Sequence, residues 1–357
     1  MACIAYSMSG EGRGHAARAL ALARALAARG HRLVLLAPGE ANALLEPVFR
    51  GSRVVVRPHQ GMRHVYSGSG RLRFFATAFR ALPFLVRMPG RVRRLARWLR
   101  AEGVDLVIAD FEPLLPQAAR RAGVPWVSVD HQHFLLVSQL VGLPLRQRLH
   151  AAAVRPLFWL VSPRPAAGVV SQFYRLPLKA RFRDRFRQAG VFHRPGMGKL
   201  TPRDDGFLLV YCRRAADPAI LGAIASAGLP LRCYGAGIDL PGVDCRAFHA
   251  EAFLRDLARC RALITTAGNQ LIGEALALRK PVLALPEPGN FEQAINAHYL
   301  AASGAGVACP PERLTPGVVR EFLDHPPAIR NHPLLDTADG LPEAVAIIER
   351  LLARTRS

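Results

Sequence analysis

Twice along this chain, short runs of Val, Ile and Leu alternate with Ala-, Leu- and Arg-rich segments of helical spacing. Between the two series lies 192–206, FHRPGMGKLTPRDDG, where Pro, Gly and charge gather without a period and read as a linker. Successive parallel strands need a long crossover, and a helix supplies it, so this alternation predicts α/β domains built of βαβ units. Strands are expected near 3–7, 33–37, 53–56, 105–109, 126–129 and 168–171, with a first helix over 16–29 closed by Gly30. After the linker they are expected near 207–212, 231–234, 262–265 and 281–285, with a last helix from 341. The fold class that follows is two Rossmann-like, doubly wound domains facing each other across a cleft. The expected boundaries are 1–195, 196–340 and a C-terminal helix, 341–357, that packs back on the first domain. Doubly wound sheets bind ligands at the carboxyl ends of their strands, so the cleft is the place to look for chemistry.

Of 357 residues, 50% are hydrophobic and 21% charged, which sets aside disorder, collagen-like repeats and coiled coil. The six cysteines form no C-x-x-C pair and no zinc spacing, so no metal and a reduced, cytoplasmic compartment are expected. The apolar start meets Glu11 and Arg13 before any cleavage site, so no signal peptide is expected. No uncharged stretch of about 18 residues predicts a spanning helix.

The net charge of +22 is unevenly distributed. Residues 1–195 carry 31 basic and 9 acidic side chains, whereas 196–357 carry 17 of each. Only three of the basic residues are Lys, so part of the Arg excess is compositional, but its confinement to one half suggests an anionic partner there. Residues 71–100 hold nine Arg and no acid, interleaved with Phe74, Phe75, Phe79, Phe84 and Trp98. Such a segment suits an anionic membrane surface, which would make the protein peripheral on the cytoplasmic face of the inner membrane. Two amphipathic helices broken at Pro83 and Pro89 are the simpler reading of the same residues. No nucleic-acid-reading module is recognisable, and no nucleic-acid partner is expected.

Ser9-Gly10-Glu11-Gly12-Arg13-Gly14-His15 follows the first strand and opens a helix, where glycines let the backbone turn and a ligand approach the helix N-terminus. Gly12, Gly14 and Ala17 satisfy G-x-G-x-x-A, but the second strand lacks the acid a dinucleotide site needs. His15 can act as a general base, and Asp110, ending a strand on the same sheet edge, can orient it, so the two form a candidate dyad. Asp130, His131, Gln132 and His133 follow the next strand and are candidates for an acceptor pocket, for an alternative base, or for a solvated loop. In the second half, Thr266-Ala267-Gly268-Asn269-Gln270 turns from strand to helix, presenting amides to a diphosphate. Glu274 lies one turn further on, spaced to accept both hydroxyls of a ribose, and Glu292 and Gln293 follow the next strand.

The run 265–306, TTAGNQLIGEALALRKPVLALPEPGNFEQAINAHYLAASGAG, resembles the donor-binding segment of nucleotide-sugar glycosyltransferases of the GT-B fold. It is most similar to the bacterial and archaeal branch related to the lipid-linked N-acetylglucosaminyltransferase of peptidoglycan synthesis and to UDP-glycosyltransferases. The resemblance implies that Gly268, Asn269 and Gln270 hold the diphosphate, Glu274 the ribose, and Glu292 and Gln293 the donor sugar. It further implies that Phe248 and His249 meet the base, that Arg213 contacts a phosphate, and that Gly12 and Gly14 form the acceptor loop with His15 as base. The family binds no catalytic metal. The chain departs from the eukaryotic and plant pattern at Thr266-Ala267-Gly268, where that pattern has His-Cys-Gly, and no His precedes Gly12.

The expectation is therefore an inverting glycosyltransferase that takes a nucleotide sugar, UDP-linked, as substrate and a hydroxyl acceptor of lipid-linked or cell-envelope type, without a cofactor. A hydrolysing sugar-nucleotide epimerase of the same fold and a non-catalytic nucleotide or anionic-lipid binding module are the alternatives.

Overall fold

The structure, a computed structural model, describes residues 1–10, 13–61, 74–161, 163–212, 217–235 and 241–354. Gly12 and Arg213 lie outside them, as do Arg71 and Arg73 of the basic segment. The strands are β1 (Cys3–Met8), β2 (Arg32–Ala37), β3 (Val54–Pro58), β4 (Leu106–Asp110), β5 (Trp126–Asp130), β6 (Ala167–Ser171), β7 (Phe186–Ala189), β8 (Leu208–Tyr211), β9 (Leu231–Tyr234), β10 (Val243–Arg246), β11 (Ala262–Thr265), β12 (Val282–Ala284) and β13 (Gly306–Ala308). The α-helices are α1 (Arg13–Ala27), α2 (Gly39–Phe49), α3 (Phe74–Ala101), α4 (Leu114–Ala122), α5 (Phe134–Val137), α6 (Leu145–Val161), α7 (Pro218–Ala225), α8 (Ala250–Arg259), α9 (Asn269–Ala277), α10 (Phe291–Ala302), α11 (Pro316–Asp324) and α12 (Leu341–Arg354).

Two sheets result, seven strands in the order β3-β2-β1-β4-β5-β6-β7 and six in the order β10-β9-β8-β11-β12-β13, with every pairing between named strands parallel. Helices cover both faces, so the central strands are buried throughout and read as unbroken apolar runs, as in Leu106-Val107-Ile108-Ala109. In each sheet the winding reverses once, between β1 and β4 and between β8 and β11, which opens a crevice at the carboxyl ends of those strands.

Strands β7, β10 and β13 were not among the expected ones. They are three or four residues long and lie at sheet edges; β7 and β10 carry Arg, Gln or Asp and β13 is only Gly-Val-Ala, so the local strand signal is weak. From Phe74 to Ala101 the chain forms one helix, α3, through both Pro83 and Pro89 rather than two broken ones. Proline keeps a helix-compatible φ, and the neighbouring turns continue across the lost bond.

The two sheets share core. One apolar cluster runs from Phe134, Tyr174 and Val191 of the first part to Ile272, Ile295 and Tyr299 of the second. Gly273 on α9 lies so close to Val191 that a Cβ there would sit 2.5 Å from a Val191 methyl. After the second sheet the chain returns to the first: Asp336 N–H donates to the Phe173 carbonyl, and Gly340 passes Gly190 at a distance that admits no side chain. α12 then packs its Ala344, Val345, Ile348 and Leu352 into the core beneath α1 and α2, and Glu349 accepts from His31 Nε2 at 2.9 Å.

Candidate active site

Both crevices open into one cleft of about 350 Å³. From the first sheet it is lined by the start of α1, by Phe111 beyond β4 and by His131 and Gln132 beyond β5. From the second it is lined by Tyr211, Phe248, Phe253, Thr266, the start of α9 and the start of α10. A Cβ on Gly14 of α1 would sit 3.5 Å from Gln270 Cβ, so the N-termini of α1 and α9 meet across the opening.

The loop after β1 is held to β4 by a bond from Ser9 N–H to the Asp110 carbonyl, 2.9 Å long. Gly10 admits no side chain there, since a Cβ would sit 2.7 Å from Pro38 Cγ. The first turn of α1 thereby brings His15 beside Asp110, with Nδ1 2.8 Å from Oδ1. His15 lines the cleft and Asp110 is fully buried. Arg18, on the same face of α1, grips both oxygens of Asp110 at 2.9 Å. Burial works against the Asp110 charge, but Arg18 and His15 hold its carboxyl below the ordinary carboxylate range. With Nδ1 occupied by a carboxylate, Nε2 of His15 is the nitrogen left for a proton from the cleft. Phe111, next in the chain, takes a left-handed φ of 51°, an arrangement that a phenylalanine adopts only under constraint and that sits at the reversal point of the sheet.

The cluster after β5 divides. His131 donates through Nε2 to Asn296 Oδ1, 3.0 Å away, and Gln132 donates to Glu292 at 3.0 Å, so both tie the two halves together at the cleft. Burial pushes the imidazole of His131 toward its neutral form. Asp130 and His133 turn inward instead. Asp130 accepts from His133 Nδ1, from the His133 amide and from Ser128 Oγ, and His133 packs on Phe158 and Phe186. Neither lines the cleft.

On the opposite wall, α9 begins at Gly268, which has no side chain to cap it, so the first amides of the helix face the cleft. Asn269 uses its side chain to bridge the halves, donating to the Ser171 carbonyl and accepting from the Phe173 amide. Gln270 lines the cleft while its amide nitrogen donates to Glu274 and to the Phe192 carbonyl. Glu274 is fully buried and absent from the cleft wall, because Arg194 of the linker binds both its oxygens. Gln293 is held by Glu287, and both Glu292 and Gln293 line the cleft. Phe248 lines it with the Arg13 guanidinium 3.9 Å above its ring; His249 precedes α8 and is not part of the wall. Sequence reasoning missed Arg13, Arg18 and Arg194 as site residues. The spacing of His15 and Arg18 on one helix face was a usable signal for Arg18, but nothing local pairs Arg194 with a carboxylate eighty residues away. An apolar wall of Leu20, Leu44, Leu45 and Val48 was also not foreseen.

The family model for glycosyl transferase family 1 matches residues 2–327. An uncharacterized glycosyltransferase of Methanopyrus kandleri is 31% identical over 83 residues, 23% of this chain and 24% of that protein, so the matched part is about a quarter of the relative. Among solved structures, the calicheamicin glycosyltransferase CalG4 superposes with a TM-score of 0.64 at 21% identity over the whole of both chains. MurG of Acinetobacter baumannii gives 0.59 at 15% identity, covering 98% of this chain and all of its own. LpCGTa in complex with UDP gives 0.64 at 16% identity, with both chains fully covered. At these identities the structural likeness carries the fold, two facing doubly wound domains of the GT-B type.

Proposed function

The chain belongs to glycosyl transferase family 1, and on that footing we propose that it moves a sugar from a nucleotide diphosphate donor, a UDP-sugar, to a hydroxyl acceptor with inversion at the anomeric carbon. The observation that carries this reading is the pairing, in one cleft, of a carboxylate-oriented histidine on α1 with the uncapped N-terminus of α9. In this reading residues 1–195 bind the acceptor, 196–340 bind the donor, and 341–357 belong with the first unit. His15 Nε2 takes the acceptor proton as the acceptor oxygen bonds to the anomeric carbon. The bond from that carbon to the diphosphate oxygen breaks, and its electron pair leaves on the diphosphate. Gly268 leaves room for the diphosphate, and the amides of Asn269 and Gln270 with the dipole of α9 stabilise that developing charge. Glu292 and Gln293 face the sugar, and Phe248 the base. For Glu274 to hold the ribose, the diol must enter in place of Arg194, whose guanidinium then turns to the phosphates. The UDP bound in the structure of LpCGTa supports the choice of nucleotide.

His15→Ala should lower kcat by roughly 10²- to 10⁴-fold while thermal stabilisation by UDP persists. Undiminished turnover in that variant would remove the base assignment. A screen of nucleotide sugars by thermal shift, followed by product analysis with and without acceptor, separates transfer from epimerisation and from mere binding.

Attachment to an anionic membrane and a lipid-linked acceptor belong to the same reading. Among the described residues no helix is long and apolar enough to cross a membrane. On α3, Arg87, Arg93, Arg94, Arg97 and Arg100 are exposed, as are Leu85 at 42% and Val86 at 73%. Cationic heads beside bare aliphatic side chains suit a headgroup layer.

A further inference from the structure

A buried cation stands inside the dyad. Arg18 lies one turn beyond His15 on α1 and is only 3% exposed. Its Nε reaches Asp110 Oδ2 and its Nη2 reaches Oδ1, each at 2.9 Å, and the same Nη2 is 3.2 Å from His15 Nδ1. Packing does not call for it: Ala19, Leu22, Ala23 and Leu26 already seat α1 on the sheet, and an apolar substitute for a buried ion pair often costs nothing. The guanidinium is therefore placed for something other than cohesion.

We propose that Arg18 is a positioning residue of the transfer reaction: by clamping both oxygens of Asp110 it fixes the imidazole of His15 and offsets the carboxylate's charge beside it. The inference rests on the reading of His15 as the base. Of the three groups, only Asp110 is a charged acceptor, and its contact with Nδ1 is the shorter, so the Nδ1 proton points to Oδ1 and the lone pair is left on Nε2. Alone, a carboxylate 2.8 Å away would favour the imidazolium; with Arg18 beside it, the pair presents no net charge to His15. Other groups close to the three are neutral or paired. Tyr6 on β1 is fully buried and stays a neutral phenol, and Asp130 on β5 is bound to His133. Elsewhere in the cleft, Arg13 lies over Phe248, burial pushes His131 toward its neutral form, and Glu292 accepts from Gln132.

The test follows the His15 ring by NMR through a pH titration of histidine-labelled protein, the signal being identified by its loss in His15→Gln. Arg18→Met should raise the titration midpoint by about one pH unit, Asp110→Asn should lower it, and the double variant should return it to the wild-type position. An Arg18→Met midpoint equal to wild type, or a double variant that titrates with Asp110→Asn, overturns the proposal. Should Arg18→Met leave Asp110 unpaired and fail to fold, Asp110→Asn and the charge-neutral double variant carry the same comparison. With an active donor and acceptor, the acid limb of kcat/KM should move with the midpoint, and Arg18→Lys should restore the limb while leaving kcat low. Midpoints that move as expected in a protein that turns over no sugar would sink the transferase reading and leave the electrostatic one standing.

Discussion

Asp130 and His133 show how little a polar residue's neighbours in sequence say about where it points. Both lie at the carboxyl end of an apolar strand, at the edge that faces the cleft, as Asp110 does, yet they close a buried cluster with Ser128. Burial opposes the charge of Asp130, but His133 and Ser128 hold its carboxyl down to about 2. A carboxyl depressed in the folded state contributes stability above its unfolded range and loses it as pH falls toward the folded value. Asp130→Asn should therefore cost about 2 kcal/mol in denaturant unfolding at neutral pH, and the gap to wild type should narrow as pH drops from about 4 toward 2. A gap that stays constant across that window would show that the Asp130 carboxyl is not held down as described. Glu274 makes a similar point. Helical spacing sets it on the Gln270 face, which is legible in the sequence, but its possession by Arg194 is a long-range fact.

Element by element, the long apolar strands and strongly periodic helices were readable because burial on both faces writes an unbroken hydrophobic run. The short edge strands β7, β10 and β13 were not, since sheet pairing by a neighbour, not local composition, makes them strands. α9 forms part of the second-sheet wall of the cleft, and its seat depends on Gly273 against Val191. Valine is stiff at χ1, so an added methyl has no easy escape. Gly273→Ala should destabilise the protein by about 1–3 kcal/mol and weaken stabilisation by UDP, while Gly273→Ala with Val191→Ala should recover much of both. Unchanged melting and UDP response in the single variant would mean that α9 is not fixed by this contact.

The molecule as a whole is electrically lopsided, with its basic excess on the half that also exposes Leu85 and Val86. Flotation with anionic vesicles should succeed at about 50 mM salt and fail at about 500 mM, with neutral vesicles binding little at either. Equal binding to both vesicle types would leave the charge without this role. Two series of βαβ units, their linker, the excess of Arg and the run from Thr265 to Gly306 could all be read along the chain. They depend on periodicity and on residues adjacent in sequence, which local chemistry records. The place of Arg18 beside His15 and Asp110 and the withdrawal of Asp130, His133 and Glu274 from the cleft came from the folded molecule. Each depends on which way a side chain turns or which distant group it meets, and close packing of the whole chain settles both.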